Sequence, residues 1–151
     1  MTMNRVAEIT CPQCGEKQDV MIWSTLNVSV DPEEKENLLA GKINYFECSH
    51  CDFKSFIPCS FLYHDMENHF VVYYLPEHEI ENGLNEDLFT PDGEMRVATP
   101  QIGGSDPDFL DYFKKMRLVF SMMELIRYVR FRERVALFYA TGQERTDAQG
   151  S

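Results

Sequence analysis

The sequence predicts an α+β fold, built on an antiparallel β-sheet with a short inserted helix and C-terminal helices. Three observations predict this class. Two short cysteine motifs lie well apart in the chain, apolar residues alternate over much of the first half, and helix start and stop signals follow them. Cysteine pairs set in tight turns are typical of zinc ribbons, so the predicted sheet is zinc-ribbon-like.

The cysteine motifs read Cys11-Pro12-Gln13-Cys14-Gly15 and Cys48-Ser49-His50-Cys51-Asp52. Two residues between cysteines suit a turn that directs both sulfurs to one point, and two such turns supply the four thiolates of a closed tetrahedral site. We therefore predict that Cys11, Cys14, Cys48 and Cys51 bind one metal ion. Glycine after the first pair permits a positive φ, and aspartate, which tolerates that conformation, holds the matching place in the second turn.

Other uses of these cysteines stay open. A disulfide pair would need an oxidising compartment, and Met1 to Thr10 contains no secretory signal. A redox Cys-x-x-Cys is disfavoured because neither motif sits at a strand-to-helix junction of a βαβ unit. Iron also suits four sulfurs, and the pattern has some likeness to rubredoxin. The second turn lacks the Pro and Gly typical of that family and the chain is far longer, so zinc is favoured over iron.

Length and charge limit the class of protein. The chain has 151 residues, enough for one domain with an appendage, and its 44% hydrophobic content excludes a disordered chain. No apolar run approaches the ~20 residues that span a bilayer, so a cytoplasmic protein is expected. The net charge is −11, with −12 in residues 1–105 and +1 in 106–151. Such acidity argues against nucleic-acid binding, which depends on Lys and Arg at phosphates.

The first half predicts strands around one helix. Apolar residues alternate from Val20 to Val30, which indicates a half-buried strand. Asp31-Pro32 then predicts the start of a helix that ends at Gly41 as a C-terminal cap. Ile43 to Glu47 is predicted to be a strand that leads into the second cysteine turn.

Two further strands follow the second cysteine turn. Phe53 to Tyr63 alternates in apolar residues and contains Pro58, which indicates an edge or bulged strand. His64 to Asn68 is a polar turn, and His69 to Leu75 completes a predicted hairpin.

Glycines and prolines punctuate Glu77 to Ser105, which predicts a connector with a helical turn near Leu84–Leu88. Asp106-Pro107 opens a helix to about Met116, and Arg117 to Phe120 is an extended link. Ser121 and Glu124 form a capping box for a last helix that stops at Thr141-Gly142. The predicted organisation is a β domain at 1–76, a connector at 77–105, a helical segment packed on it at 106–142 and a disordered tail at 143–151.

The last helix has two apolar faces. Leu125, Ile126 and Val129 share one face, and a second face carries Tyr128, Phe131, Val135, Phe138 and Tyr139. A helix apolar on two sides is covered from two sides, either by its own chain or by another. The same helix carries a basic stretch, Arg127, Arg130, Arg132 and Arg134. This stretch is interpreted as a solvated face or as intramolecular pairing, with a nucleic-acid contact as the alternative.

Cys59 is the fifth cysteine. It shares the apolar parity of Ile57 and Phe61, so it is interpreted as a small hydrophobic side chain. A nucleophile–base pair with His64 is the alternative. His50 is expected to face solvent, and the remaining histidines form no ligand pattern.

Several segments match one known pattern. They are the first cysteine motif, Asn27 to Val30 before Asp31-Pro32, Leu38 to Asn44 leading into the second motif, the aromatic strand pair, and Arg117 to Ile126. Together they resemble the CpXC domain, a bacterial and archaeal family named for its cysteine motif. Ser49 stands where a second Pro is usual and Asp52 where Gly is usual, and neither change removes a ligand. The resemblance implies the metal site and no substrate.

The predicted function is a zinc-binding structural or interaction module, a protein–protein adaptor that associates with itself or with a protein partner through the C-terminal helix. A redox or thiol-dependent enzyme that uses Cys59 or labile zinc thiolates is the first alternative. A nucleic-acid-binding ribbon that uses the Arg-rich helix is the second.

Overall fold

The computed structural model describes residues 2–82, 89–94, 96 and 107–148, with the backbone alone at 107–110 and 142–148. Seven strands and four helices lie in this part of the chain. In order they are β1 (Met3–Thr10), β2 (Lys17–Asn27), α1 (Pro32–Leu39), β3 (Tyr45–Glu47), β4 (Lys54–Phe56), β5 (Phe61–Asp65), β6 (Phe70–Tyr74), α2 (Glu77–Glu81), α3 (Pro107–Lys114), β7 (Arg117–Val119) and α4 (Met122–Ala148). The α+β class is confirmed.

Five strands form one sheet in the order β1-β2-β5-β6-β7, and β3 pairs with β4 in a separate two-stranded ribbon. The expectation of an antiparallel sheet needs correction, because the large sheet is mixed. β1 with β2 and β5 with β6 are antiparallel, whereas β2 with β5 and β6 with β7 are parallel. Parallel neighbours need a long crossover. The segment with α1 and the ribbon supplies one, and the segment with α2 and α3 supplies the other.

The first two strands differ most from the prediction. β1 was not predicted, because most of its residues are exposed and give no period-two pattern. β2 begins at Lys17 and ends at Asn27, earlier than the predicted Val20 to Val30. The chain turns after Asn27, whose side-chain Oδ1 accepts from the backbone N–H of Ser29 at 3.0 Å. A polar side chain that binds its own turn ends the strand despite the apolar alternation.

The predicted strand from Phe53 to Tyr63 is two strands in different sheets. β4 pairs with β3, β5 joins the large sheet, and Pro58 lies between them. A proline lacks the N–H that a ladder needs, so the chain breaks there rather than bulging. The hairpin of β5 and β6 is confirmed, with its turn at Met66–His69.

Helix α1 has the predicted ends. Asp31 is its N-cap and Pro32 its first residue, although the Asp31 side chain makes no capping hydrogen bond. Gly41 has φ of +76° and donates its N–H to the Leu38 carbonyl, while the N–H of Lys42 reaches Asn37. This pair of bonds is a Schellman motif, so glycine ends the helix as predicted.

The core lies between the large sheet and helices α1 and α4. Its largest fully buried side chains include Tyr63, Phe61, Leu26, Leu38 and Leu125. Burial of each such side chain contributes about 1.5–3 kcal/mol to folding. The N-terminal turns of α4 are therefore part of the core, as the first apolar face of this helix predicted.

Helix α4 runs to Ala148, past the Thr141-Gly142 where it was predicted to end. One glycine inside a helix costs about 1 kcal/mol, too little to stop it without a cap. The helix thus occupies most of the segment assigned to a disordered tail. Its predicted start is confirmed, because the Ser121 Oγ accepts from the Glu124 N–H at 3.1 Å.

The remaining C-terminal predictions have mixed outcomes. α3 lies within the predicted helix, and the predicted extended link forms β7 at the edge of the large sheet. The helical turn predicted near Leu84–Leu88 lies outside the described residues, and the division into domains stays a prediction. None of the described helices combines the length and apolarity that crossing a membrane requires.

Candidate metal centre

The first cysteine pair sits in the turn of the β1–β2 hairpin. Thr10 pairs with Lys17, and the backbone N–H of Cys11 donates to the Glu16 carbonyl at 2.8 Å to close the turn. The N–H of Gly15 donates to the Cys11 carbonyl at 2.9 Å, and its φ of +79° confirms the predicted use of glycine.

The second pair sits in the turn of the β3–β4 ribbon. Glu47 pairs with Lys54, and the N–H of Cys48 donates to the Phe53 carbonyl at 2.9 Å, as Cys11 does in the first turn. Asp52 does not have the left-handed conformation suggested for it. Among described residues other than glycine, only Asn44 and His69 have positive φ. The closing bond from Cys48 to Phe53 forms without that conformation.

The two turns bring the four predicted ligands together. The sulfur of Cys11 lies 3.6 Å from that of Cys51, and Cys14 lies 3.5 Å from Cys48. All four sulfurs are within 4.8 Å of one another. Tetrahedral ligands ~2.3 Å from one ion are about 3.8 Å apart, whereas a disulfide needs about 2.05 Å. The cluster therefore fits one metal ion in an S₄ site, and all the cysteines are unpaired thiols.

The electrostatics of the bare cluster favour a cation. Burial raises the pKa of the Cys11 thiol, but backbone N–H donors of Cys14 and Gln13, with neighbouring thiols, outweigh it and lower the pKa to about 6. The N–H of Phe53 lowers the pKa of Cys51, but burial and the other three thiols raise it to about 12. Four adjacent thiols cannot all ionise by themselves. A divalent ion supplies the charge that stabilises four thiolates, and the backbone donors orient them.

The centre is partly open to solvent. Cys11 is buried, Cys48 and Cys51 are half-buried, and Cys14 is exposed. His50 is exposed as predicted, and its backbone N–H lies 3.4 Å from the Cys48 sulfur. Gln18, which the sequence did not single out, hydrogen-bonds across the two turns. The one sequence signal for Gln18 is its position four residues after Cys14, which places it close to the first cysteine turn.

Cys59 lies outside the sulfur cluster. It is half-buried, and its sulfur accepts from the side-chain amide of Asn44 at 3.2 Å. Burial raises the pKa of the Cys59 thiol, the Glu79 carboxylate raises it further, and Arg5 lowers it. A thiol with a raised pKa is a poor nucleophile, which favours the packing role over catalysis.

His64 has different partners from Cys59. It is buried, and its Nε2 lies 2.6 Å from the Tyr112 hydroxyl. Burial lowers the pKa of His64 to about 4, although the neighbouring Asp65 carboxylate opposes this shift. The imidazole is neutral at pH 7 and joins α3 to the β5–β6 hairpin. Among described residues, the four cysteines are the one cluster with metal-ligand geometry.

Two arginines of the basic stretch on α4 donate hydrogen bonds to other parts of the chain. Arg130 donates to the Leu39 carbonyl at 3.0 Å and so binds the C-terminal end of α1. Arg132 donates to the Asn68 carbonyl at 3.3 Å, and its guanidinium lies 4.5 Å from the Phe70 ring centroid. These contacts agree with the intramolecular interpretation, although they reach carbonyls and rings rather than acidic side chains.

The second apolar face of α4 is more exposed towards the C-terminal end of the helix. Tyr128 and Val135 are half-buried, whereas Phe131 and Phe138 are 58% and 67% exposed. Every residue from Ala136 to Thr141 is exposed. We call this stretch the projecting part of α4. Within the described part of the chain, nothing covers its aromatic side chains.

A family model described as "CpXC protein" matches residues 9–146. No curated protein and no solved structure gives a match. The matched range contains both cysteine turns and extends through most of α4. The second turn directs its two sulfurs to those of the first. With its cysteine turns and most of its length matched, this chain belongs to the CpXC family.

Proposed function

We propose that this protein is a zinc-stabilised interaction module, in which the metal joins the β3–β4 ribbon to the β1–β2 hairpin and α4 carries the docking surface. The observation that carries the metal part is the arrangement of four sulfurs within 4.8 Å of one another. Zinc, when bound, would hold the four thiolates in tetrahedral geometry. Four cysteine ligands leave no open position for a substrate, which supports a structural role.

Zinc binding requires reduced thiols. All five cysteines of the chain are unpaired, and Cys14 is exposed to solvent. A reducing compartment such as the cytoplasm keeps such thiols available for zinc, and we therefore propose that the protein is located there.

The metal test is a measurement of metal content in protein purified without added metal. We expect about one zinc per chain, and loss of most of it in Cys14→Ser. Cys59→Ser is the matched control, because it removes a thiol outside the cluster. Bound iron would correct the metal while keeping the site, and protein that retains no metal under reducing conditions contradicts the proposal.

The docking part rests on the second apolar face of α4. Tyr128, Phe131, Val135 and Phe138 follow one another at intervals of three, four and three residues. This spacing places them in one row and is the a/d spacing of helices that pack on helices. Isolated helical turns are marginal in water, so an exposed aromatic row on a projecting helix calls for a covering partner.

We propose a second copy of the chain as that partner. A two-fold interface needs one surface that complements itself, and an apolar row with heptad spacing can pack against the same row of another copy. Because the N-terminal turns of α4 stay in the core of their own protomer, the pairing would use Phe131 and the projecting part. Association would then cover the exposed aromatic side chains of the projecting part.

The association test is sedimentation of wild type and Phe131→Asp. We expect wild type to form a dimer at micromolar concentrations and Phe131→Asp to be monomeric with its metal content unchanged, because a charge at the row cannot be buried without a partner. Ala140→Asp introduces the same charge on the opposite side of the helix and should leave the dimer intact. A wild type that is monomeric at high concentration removes self-association and leaves a different protein as the occupant.

A further inference from the structure

We propose that Gln18 is a positioning residue for the metal centre, which fixes the second cysteine turn relative to the first before the ion binds. This inference rests on the metal site proposed above. The Gln18 Nε2 donates to the Glu47 carbonyl at 2.7 Å. Its Oε1 accepts from the Ser49 backbone N–H at 2.9 Å and lies 3.2 Å from the Ser49 hydroxyl.

The two partners of this amide lie on either side of one ligand. Glu47 precedes Cys48 and Ser49 follows it, so the Gln18 side chain holds the backbone on both sides of that cysteine. Gln18 itself lies in β2, opposite Ile9 and close after the first cysteine turn. It therefore fixes the position of Cys48 relative to the hairpin that carries Cys11 and Cys14.

The amide has one orientation that satisfies its partners. A backbone N–H can only donate and a carbonyl can only accept, so Oε1 must face Ser49 and Nε2 must face Glu47. A glutamate would present an oxygen to the Glu47 carbonyl and would add negative charge beside four thiols. Methionine keeps the length of the side chain and makes neither bond.

The β3–β4 ribbon needs such an attachment because its strands belong to no larger sheet. Among the described residues these strands pair only with each other, and the side chains of Gln18 and Asn44 attach the ribbon to β2. Without the amide, the metal would have to order the tip of the ribbon as it binds, and part of its binding energy would be spent on that ordering.

The test compares Gln18→Met with Asn4→Met in the full chain. Asn4 is exposed in β1 and pairs with Trp23, at the end of the hairpin away from the cysteine turn, so its side-chain amide is a matched control. Outer-shell partners of metal ligands are typically worth 10–100-fold in affinity, and we expect Gln18→Met to bind zinc about 10-fold more weakly. Release of zinc to a chelator should accelerate by a similar factor, while Asn4→Met stays within about 2-fold of wild type.

A second measurement reports on the positioning itself. Hydrogen exchange at the Ser49 amide in metal-free, reduced protein should be slow in wild type and fast in Gln18→Met. Equal zinc affinities and equal Ser49 exchange in wild type and Gln18→Met would overturn the proposal. If wild type binds no metal, the proposed zinc function fails, and the Ser49 comparison still decides whether Gln18 holds the turn.

Discussion

At the scale of single residues, Asn44 shows how one side chain can replace a strand neighbour. Its Oδ1 accepts from the Trp23 N–H at 2.7 Å and its Nδ2 donates to the Trp23 carbonyl at 2.9 Å. The side chain thus pairs with β2 as a backbone would. Asn44 is 1% exposed and has φ of +53°, a conformation that asparagine tolerates better than most residues. The sequence predicted a strand from Ile43 to Glu47, and nothing local distinguishes this asparagine from its neighbours in that strand.

We predict that Asn44→Ala lowers the free energy of unfolding by about 2–4 kcal/mol. The variant leaves both backbone groups of Trp23 without their Asn44 partner in a half-buried place. It also replaces asparagine at positive φ with alanine, which tolerates that conformation less well. Urea unfolding followed by the fluorescence of Trp23, the single tryptophan, measures the loss.

Two further variants separate the contributions at this position. Asn44→Gly removes the hydrogen bonds and relaxes the backbone, so it should lose less stability than Asn44→Ala. Asn37→Ala removes an exposed side-chain amide that donates to the Glu34 carboxylate within α1, and should cost less than about 0.5 kcal/mol. If Asn44→Ala matched Asn37→Ala, the pairing with Trp23 would contribute nothing to stability.

At the scale of elements, the sequence predicts what periodicity and caps can report. Helix α1 and the start of α4 were predicted because their signals are local: Gly41 at positive φ, and Ser121 with Glu124. The exposed edge strand β1 gave no signal, since an edge strand with few buried residues has no apolar period. The parallel pairing of β2 with β5 joins distant segments and leaves no mark in either one.

The candidate site was predicted better than the sheet around it. Four cysteines in two short motifs carry their own geometry, so their convergence followed from spacing. The contact between Gln18 and the second cysteine turn could not be predicted, because it depends on which residue of β2 lies beside Ser49 in the folded chain. No local pattern in the sequence reports that. Sequence therefore identifies ligands more readily than the residues that position them.

Helix α4 contains two leucines that differ in exposure. Leu125 is 0% exposed and lies in the core, whereas Leu137 is 60% exposed in the projecting part. We predict that Leu125→Ala lowers the free energy of unfolding by about 2–5 kcal/mol, from lost burial and the cavity left behind. Leu137→Ala should change it by less than about 0.5 kcal/mol in the monomeric Phe131→Asp background.

The monomeric background matters for this comparison, because dimerisation would itself stabilise the fold by an amount that rises with protein concentration. Chemical denaturation of both leucine variants at one concentration gives the two values. A large loss for Leu137→Ala in the monomer would show that the projecting part packs against its own chain.

At the scale of the whole molecule, a metal ion held by the four cysteines would cross-link distant segments of the chain. Cys14 and Cys48 are 34 residues apart, and the chain between them contains β2, α1 and β3. Closing a loop of this length removes conformational entropy from the unfolded chain, worth about 4 kcal/mol on the scale used for disulfides. The bound ion adds the free energy of coordination, provided that the unfolded chain binds it less well. A bound ion would thus join the large sheet to the ribbon, in addition to the side-chain hydrogen bonds of Gln18 and Asn44.

We predict that Cys48→Ser lowers the melting temperature of the zinc-loaded protein more than Cys59→Ser. Loss of a cross-link worth about 4 kcal/mol corresponds to roughly 8–15 °C for a chain of this size. Cys59→Ser exchanges a half-buried thiol for a hydroxyl that can still accept from the Asn44 amide, and should cost about 1–3 kcal/mol at most. Calorimetry with and without a chelator supplies the decisive comparison. Chelated wild type should melt close to Cys48→Ser, whereas Cys59→Ser should remain sensitive to the chelator. A greater sensitivity at Cys59 would instead assign to that thiol a role in the fold larger than the metal cross-link.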